Sequence, residues 1–279
     1  SSSSLLSSPS SLSSASSTSA ATTNPSHIVA PVLDFMTPDP IGDCEIKFDN
    51  KKKTIKVIAT ENIKPGSRVL FRPPAPGIPN EVFLTSHGYV PEINTNDFIV
   101  LKGITREAEW RELMTKVDAA DPVATQKFQL LKIFHDDSYS VSAFTLPPRL
   151  LFALRILNLN PASPKQKVNF EDLKKLVQED RCKYFSHANE LKVAKSLYET
   201  ADDLLSKYPT SLEEDAKLLR EAPLDIDQRM AIEYRKSKKA LLAQIKVRME
   251  DFIESDGGGS SRKLPLEKFI LKPVRLVDV

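Results

Sequence analysis

The spacing of apolar residues changes once along this chain, near residue 102, and that change limits the folds it can adopt. Before it, short apolar runs are separated by turn-forming residues, and in Cys44–Asp49 and Thr54–Thr60 apolar residues alternate with polar ones. Such alternation is typical of β-strands, whose successive side chains point to opposite faces. After it, apolar residues recur at three- and four-residue steps, which is typical of packed helices. The pattern therefore predicts an α+β chain.

The β-rich unit is predicted to contain a hairpin, two further strands and one short helix. Asp49, with an asparagine and three lysines after it, supplies the turn of the hairpin. The further strands are predicted over Ser67–Arg72 and Asp97–Leu101. Asn80 is expected to cap the helix and Gly88 to end it, since glycine tolerates the left-handed conformation that closes helices.

Several helices are predicted after residue 102. Their expected bounds are Thr105–Val117, Asp121–Phe134, Pro147–Leu157, Phe170–Glu179, Arg181–Lys207 and Asp225–Ser255. Ser211 and Glu214 have the spacing of a capping box, which predicts one more short helix. A glycine run ends the last long helix, and residues 257–279 are predicted to be an extended tail.

The first 27 residues are mostly serine, with no ionisable side chain before His27. Such a segment cannot bury enough apolar surface to offset its conformational entropy, so it is predicted to be disordered. A serine-rich, acid-free start is also typical of an organelle transit peptide, and both interpretations stay open. The predicted domains are thus 28–102, β-rich, and 103–256, helical, with the tail over 257–279.

Composition excludes several classes of protein. A formal charge of +2 argues against bulk electrostatic binding to nucleic acid. No run approaches the roughly 18 consecutive apolar residues of a membrane span. The cysteines, Cys44 and Cys182, form neither a metal-ligand spacing nor a disulfide framework, which favours a reducing compartment and predicts no metal site.

Six motifs, in a fixed order, resemble one enzyme family. In the β-rich unit they are VLDFMTP at 32–38, IKVIATENIKPGSRVLF at 55–71 and NEVFLTSHGYV at 80–90. In the helical unit they are LPPRLLFALRILNL at 146–159, YPTSLEEDAKLL at 208–219 and AIEYRKSKKALL at 231–242. Together they resemble SET-domain protein-lysine methyltransferases of the Rubisco large-subunit methyltransferase type. The resemblance implies a partial SET-like unit followed by a multihelical substrate-binding domain.

The chain departs from that family where the chemistry is expected. The resemblance implies that an Asn-His pair holds S-adenosylmethionine, and here that pair aligns with Thr37 and Pro38. Proline has no backbone N–H to donate. The family tyrosine that orients the lysine amine aligns near Pro73, and the Gly-x-Gly cofactor loop would precede residue 28. These departures favour lost catalysis, with no bound cofactor. The alternative is an active methyltransferase that uses S-adenosylmethionine.

The predicted function is therefore protein binding, as a structural subunit of a large assembly. The resemblance and the serine tract place that assembly in the chloroplast. A basic run in the longest helix is the predicted contact with the partner protein: Arg235, Lys236, Lys238 and Lys239. A charged outer face is the other interpretation of this run. A nucleic-acid contact through the same residues is a further alternative.

Overall fold

A computed structural model describes residues 30–73, 77–102, 107–134, 136–142, 144–159, 169–179, 181–255 and 265–270 of the 279-residue chain. The serine-rich segment 1–27 lies outside the described residues, and so do the glycine run and the last nine residues of the predicted tail. The chain divides into two compact units, residues 1–36 and 37–279.

The described part of the first unit contains one helical turn, α1 (Pro31–Asp34). Proline at its start suits the position, because the fixed φ of proline is helical and the first N–H needs no intrahelical partner. The N–H groups of Leu33 and Met36 donate to the carbonyl oxygens of Ala30 and Leu33, at 2.8 and 3.0 Å.

The second unit begins with a four-stranded sheet. Its strands are β1 (Thr37–Pro38), β2 (Cys44–Asp49), β3 (Thr54–Ala59) and β4 (Leu70–Arg72), in the order β1-β4-β2-β3. The predicted hairpin is confirmed: β2 and β3 are antiparallel, with Cys44 opposite Ala59 and Asp49 opposite Thr54. Strand β4 is three residues shorter than predicted at its start and runs parallel to both β1 and β2.

The predicted short helix is also confirmed, as α2 (Asn80–His87). Gly88 closes it in the left-handed conformation with φ +68°. The predicted cap is wrong, because Pro79 occupies the N-cap position and Asn80 is the first helical residue. The Asn80 side chain instead accepts a hydrogen bond from Asn94 Nδ2 at 2.8 Å.

The helical stretch follows the predicted order closely. Its helices are α3 (Glu107–Asp118), α4 (Pro122–Leu131) with a 3-10 turn Lys132–Phe134, α5 (Pro148–Leu157), α6 (Phe170–Gln178), α7 (His187–Ser206), α8 (Leu212–Glu221), α9 (Ile226–Glu254) and α10 (Leu266–Ile270). The capping box of α8 is present as predicted. Asp225 closes a second capping box with Gln228 at the start of α9. Helix α7 begins six residues later than predicted, at the Ser186 cap.

A second, two-stranded sheet joins the two predicted domains. Strand β5 (Ile99–Lys102) pairs antiparallel with β6 (Ser138–Val141), which lies inside the stretch predicted to be all helical. The sequence Ser-Tyr-Ser-Val alternates, and Tyr139 and Val141 are buried while the serines are exposed. Because only four residues alternate, the signal is too short to stand out between helices.

The core of the second unit is built by α5, α7 and α9. Seven consecutive residues of α5, from Leu150 to Ile156, are buried. The prediction of an extended tail is wrong for its central part, because α10 buries Leu266 and Ile270 in this core. None of the helices in the described ranges combines the length and apolar character that a bilayer span requires.

Candidate cofactor and protein-binding sites

The residues predicted to face the cofactor lie in β1 at the edge of the larger sheet. Thr37 pairs with Leu70 and Pro38 with Phe71, and Pro38 is buried. The next N–H, that of Asp39, donates to the Phe71 carbonyl oxygen at 2.8 Å. Position 38 therefore offers no backbone donor, and position 39 has already used its own.

Just after β1, the backbone at Gly42 passes very close to β4. A Cβ atom placed on Gly42 would lie 2.6 Å from the carbonyl carbon of Phe71 and 2.7 Å from the nitrogen of Arg72. Only glycine fits at such a distance, since it has no Cβ. Arg72 also donates through Nη2 to the Gly42 carbonyl oxygen, at 3.3 Å. The backbone around the cofactor positions is thus held tightly to β4.

Pro73 follows β4 directly and is half-buried, while residues 74–76 lie outside the described ranges. The sequence has no tyrosine near this position; Tyr89 is the only one between residues 28 and 102. The absence of a catalytic residue at Pro73 stays a prediction.

Tyr89 lies two residues after α2, with its ring edge-on to Phe83 at a centroid distance of 5.6 Å. Its hydroxyl is buried and has no hydrogen-bond partner among the described residues. Burial raises the pKa of this phenol well above its ordinary value, and the negative charge of Asp39 adds to the effect. Tyr89 is therefore a neutral, unused donor close to Asp39, the residue that follows the predicted cofactor positions.

The basic run of α9 does not form one exposed face. Lys238 is buried, and its Nζ donates to Asp97 Oδ1 at 2.7 Å and to the Phe98 carbonyl oxygen at 2.8 Å. The same ammonium lies 5.2 Å from the centroid of the Tyr234 ring. These contacts join α9 to the segment that leads into β5.

Lys239 and Arg235 converge on one carboxylate, the fully buried Asp215 of α8. Lys239 Nζ lies 2.6 Å from Asp215 Oδ2, and Arg235 Nη2 lies 2.5 Å from Oδ1. Thr210 Oγ1 also donates to Oδ1, at 2.8 Å. Burial alone would raise the pKa of Asp215, but the hydrogen bonds from Arg235, Lys239 and Thr210 outweigh it and hold the pKa below its ordinary value.

The interpretation of the run as a charged outer face is thus wrong for Lys238 and Lys239. Their partners are distant in sequence, so the periodicity of α9 could not reveal them. Lys236 is half-buried and makes no hydrogen bond or ion pair with other described residues. Contact between the basic run and a partner protein stays a prediction. Lys236 is the residue of the run for which no polar contact with other described residues is seen.

A groove of about 420 Å³ is lined in part by Lys238 of the basic run. Its walls come from α2, β5, α7 and α9. Aromatic and charged side chains share it: Glu81, Phe98, Lys207, Tyr208, Tyr234 and Lys238. Tyrosine rings next to charged groups are typical of protein-binding surfaces, because they offer large contact areas with a polar tip.

Sequence reasoning did not identify a second buried ion cluster, centred on Arg155. Its guanidinium forms a two-pronged pair with Glu190 of α7, at 2.7 Å from Nε to Oε1 and 2.7 Å from Nη2 to Oε2. Nη2 also lies 2.5 Å from Glu267 Oε2, and the N–H of Leu266 donates to Glu190 Oε2 at 2.9 Å. The cluster attaches α10 to the core. In the sequence, the arginine inside the apolar run LLFALRIL is the signal that could have indicated this cluster.

Across the described ranges, no three His, Cys, Asp or Glu side chains are grouped so that they could hold a metal ion. Both cysteines are free thiols. Cys182 Sγ lies 2.8 Å from Arg155 Nη1, at the rim of the cluster just described.

Comparisons with known proteins agree with the motifs. Residues 118–242 match the family model described as Rubisco LSMT substrate-binding. Rubisco LSMT bound to sinefungin and monomethyllysine has a similar fold, with a TM-score of 0.52 and 20% identity, over 80% of this chain and 49% of that one. Rubisco LSMT bound to AdoMet is similar with a TM-score of 0.51 and 19% identity, over 81% and 50% of the two chains.

The SET domain of LSMT bound to MeLysine and AdoHcy gives a TM-score of 0.50 with 20% identity, over 81% of this chain and 50% of that one. The chain thus spans about half the length of these relatives. A comparison with curated proteins finds no match. The predicted α+β fold class is confirmed. Residues 118–242 therefore match the Rubisco LSMT substrate-binding model, and the chain has a fold similar to that of Rubisco LSMT, in agreement with its motifs.

Proposed function

We propose that this chain is a protein-binding subunit whose SET-like unit has lost methyl transfer. One observation carries the proposal: Pro38, at a family cofactor position, is buried in β1 and has no N–H. Loss of one buried hydrogen bond to a ligand weakens binding by about 1–3 kcal/mol, or roughly tenfold to a hundredfold. Thr37 beside it replaces the other family residue. Two such losses together would weaken binding by up to about ten-thousandfold, so saturable binding of S-adenosylmethionine below millimolar concentration is not expected.

Protein binding is supported by the domain match and by the groove. The relatives with the same fold bind monomethyllysine or MeLysine, which are side-chain groups of proteins. In this chain Tyr208 and Tyr234 line the groove, and Lys236 of the basic run makes no hydrogen bond or ion pair with the other described residues. We propose the groove and Lys236 as two contacts with a partner protein, within a large chloroplast assembly.

Calorimetric titration of the folded chain with S-adenosylmethionine tests the loss of catalysis. No saturable heat is expected up to millimolar ligand. Sinefungin serves as a second probe, since a related Rubisco LSMT binds it. Binding with a micromolar Kd would contradict the proposal.

Size-exclusion chromatography in chloroplast extract tests the partner. The chain alone has a mass of 31.1 kDa, and it is expected to elute in a much larger assembly. Lys236→Glu is expected to shift it towards the free chain, because a new negative charge faces the partner. Lys195→Glu, an exposed change on α7, is the matched control and should not. Elution of the unmodified chain at its own mass would contradict the assembly.

The second candidate is an active S-adenosylmethionine-dependent protein-lysine methyltransferase, and Tyr89 favours it. Its buried hydroxyl has no partner and lies near Asp39, so it could orient an amine in place of the family tyrosine. Transfer of a radiolabelled methyl group to a protein substrate would establish this activity. Tyr89→Phe would then reduce kcat by about a hundredfold or more. Unchanged turnover in that variant would remove Tyr89 from the mechanism.

A further inference from the structure

A cavity of about 470 Å³ opens between α3, α4, α7 and the end of α5, away from the groove of the proposed partner contact. Three lysines line it, one from each of three helices: Lys116, Lys127 and Lys192. Its carboxylates are Glu112 and Asp121, and Leu159 contributes part of its wall. The cavity thus gathers three ammonium groups around two carboxylates.

Both carboxylates are already engaged. Glu112 Oε1 lies 2.6 Å from Lys116 Nζ, within one helix. Asp121 Oδ1 accepts from the N–H groups of Val123 and Ala124, at 2.8 and 3.2 Å, and so caps α4. Lys127 and Lys192 therefore have no carboxylate partner among the described residues.

Lys127 lies deepest of the three. Its Nζ donates to the carbonyl oxygens of Leu157, at 3.1 Å, and of Leu159. These carbonyls are at the C-terminal end of α5, where a cation is favourable. An ammonium has three donors, so one stays available. Burial, together with repulsion from Lys116 and Lys192, lowers the pKa of Lys127 to about 8.

Lys192 extends towards the same space from the exposed side of α7. It makes no hydrogen bond or ion pair with any described residue. A cavity wall with one spare donor on Lys127 and three on Lys192 suits a ligand with several acceptor oxygens and negative charge. Binding of such a group would also relieve the repulsion between the lysines.

We propose that this cavity binds an oxyanion, a carboxylate of an acidic protein segment or a phosphate group, through Lys127 and Lys192. The ligand oxygens would take the free Nζ donors as charge-assisted hydrogen bonds. The site is independent of the cofactor positions and of the contact at Lys236. It would stand even if S-adenosylmethionine bound to the chain.

Titration at constant ionic strength tests the site with two probes, inorganic phosphate and an acetylated triglutamate peptide. We expect saturable binding of one of them, followed by the Cε chemical shift of Lys127 in 13C-labelled, unmethylated protein, and the pKa of Lys127 should rise in the complex. Lys192→Met should weaken binding at least fivefold, since Lys192 has no structural contact to lose.

Lys195→Met, three residues further along α7, removes the same charge outside the cavity and is the matched control. Binding of phosphate alone would identify a phosphate site, and binding of the peptide alone a site for acidic segments. Absence of binding for both probes would overturn the proposal. Equal weakening by Lys192→Met and Lys195→Met would overturn it too, because the effect would then be one of net charge.

Discussion

Strand β3 of the hairpin leaves its apolar side chains exposed, whereas the helices α5, α7 and α9 bury theirs. Every residue of β3 is exposed, including Ile55, Val57 and Ile58. In α5, by contrast, seven consecutive residues are buried. Apolar residues left exposed on both faces of a strand are typical of surfaces that another chain segment covers. The helices α5, α7 and α9 thus bury their own apolar side chains, whereas β3 leaves its apolar side chains exposed among the described residues.

The substitution expected to destabilise the helical core most removes one partner of its buried ion pair. Glu190→Leu would leave the Arg155 guanidinium buried with only the half-exposed Glu267. Removal of one charge from such a pair costs about 3–5 kcal/mol. The free energy of unfolding in urea should fall by this amount.

The matched control for that change is Glu221→Gln, which removes an exposed pair with Lys217 at 3.9 Å. Exposed pairs contribute about 0–1 kcal/mol, so little loss is expected. The double variant Arg155→Met/Glu190→Leu should recover much of the stability, since neither charge is then left alone. Equal losses in Glu190→Leu and Glu221→Gln would show that the cluster does not support the core.

Asp215→Asn should destabilise the helical region by about 3 kcal/mol, because two cations lose their buried counter-charge. The pKa of Asp215 is lowered in the folded chain. Its contribution is therefore complete above the unfolded pKa of about 3.9 and is lost as pH falls through the lower folded value. Urea unfolding between pH 7 and pH 3 should lose less stability in Asp215→Asn than in the unmodified chain. A parallel pH dependence in both would contradict this role.

The same substitution, valine to threonine, made once in α7 and once in β3, compares the two regions directly. Val193 of α7 is 0% exposed, whereas Val57 of β3 is 42% exposed. Val193→Thr would bury a hydroxyl of the same size as the methyl it replaces, at a cost of about 1–3 kcal/mol. Val57→Thr should change the free energy of unfolding by about 0.5 kcal/mol or less. Comparable losses would mean that β3 is covered in solution, for instance by a second copy of the chain.

Much of the helical region was predictable from local signals. Asn169 and the Ser211–Glu214 box mark helix starts through contacts within three residues, and Gly88 marks a helix end in the same way. Such signals act within one turn of the chain, so the sequence contains them completely. The alternation of the hairpin is equally local.

The candidate sites were less predictable. The sequence showed Thr37, Pro38 and the basic run, but not that Lys238 meets Asp97 or that Lys239 meets Asp215. These partners lie on other elements, so only packing brings them together. The cavity of Lys127 and Lys192 was missed for the same reason, since its lysines come from three helices.

By itself, the sequence determined the order of most strands and helices, many of their ends and the resemblance to Rubisco LSMT. The tertiary structure alone decided which charges are buried, that α10 belongs to the core and that β5 pairs with β6. The physical reason is the separation along the chain between the residues that interact. Caps and periodicity arise from neighbours along the chain, whereas desolvation and ion pairing depend on residues that meet only after the helices pack.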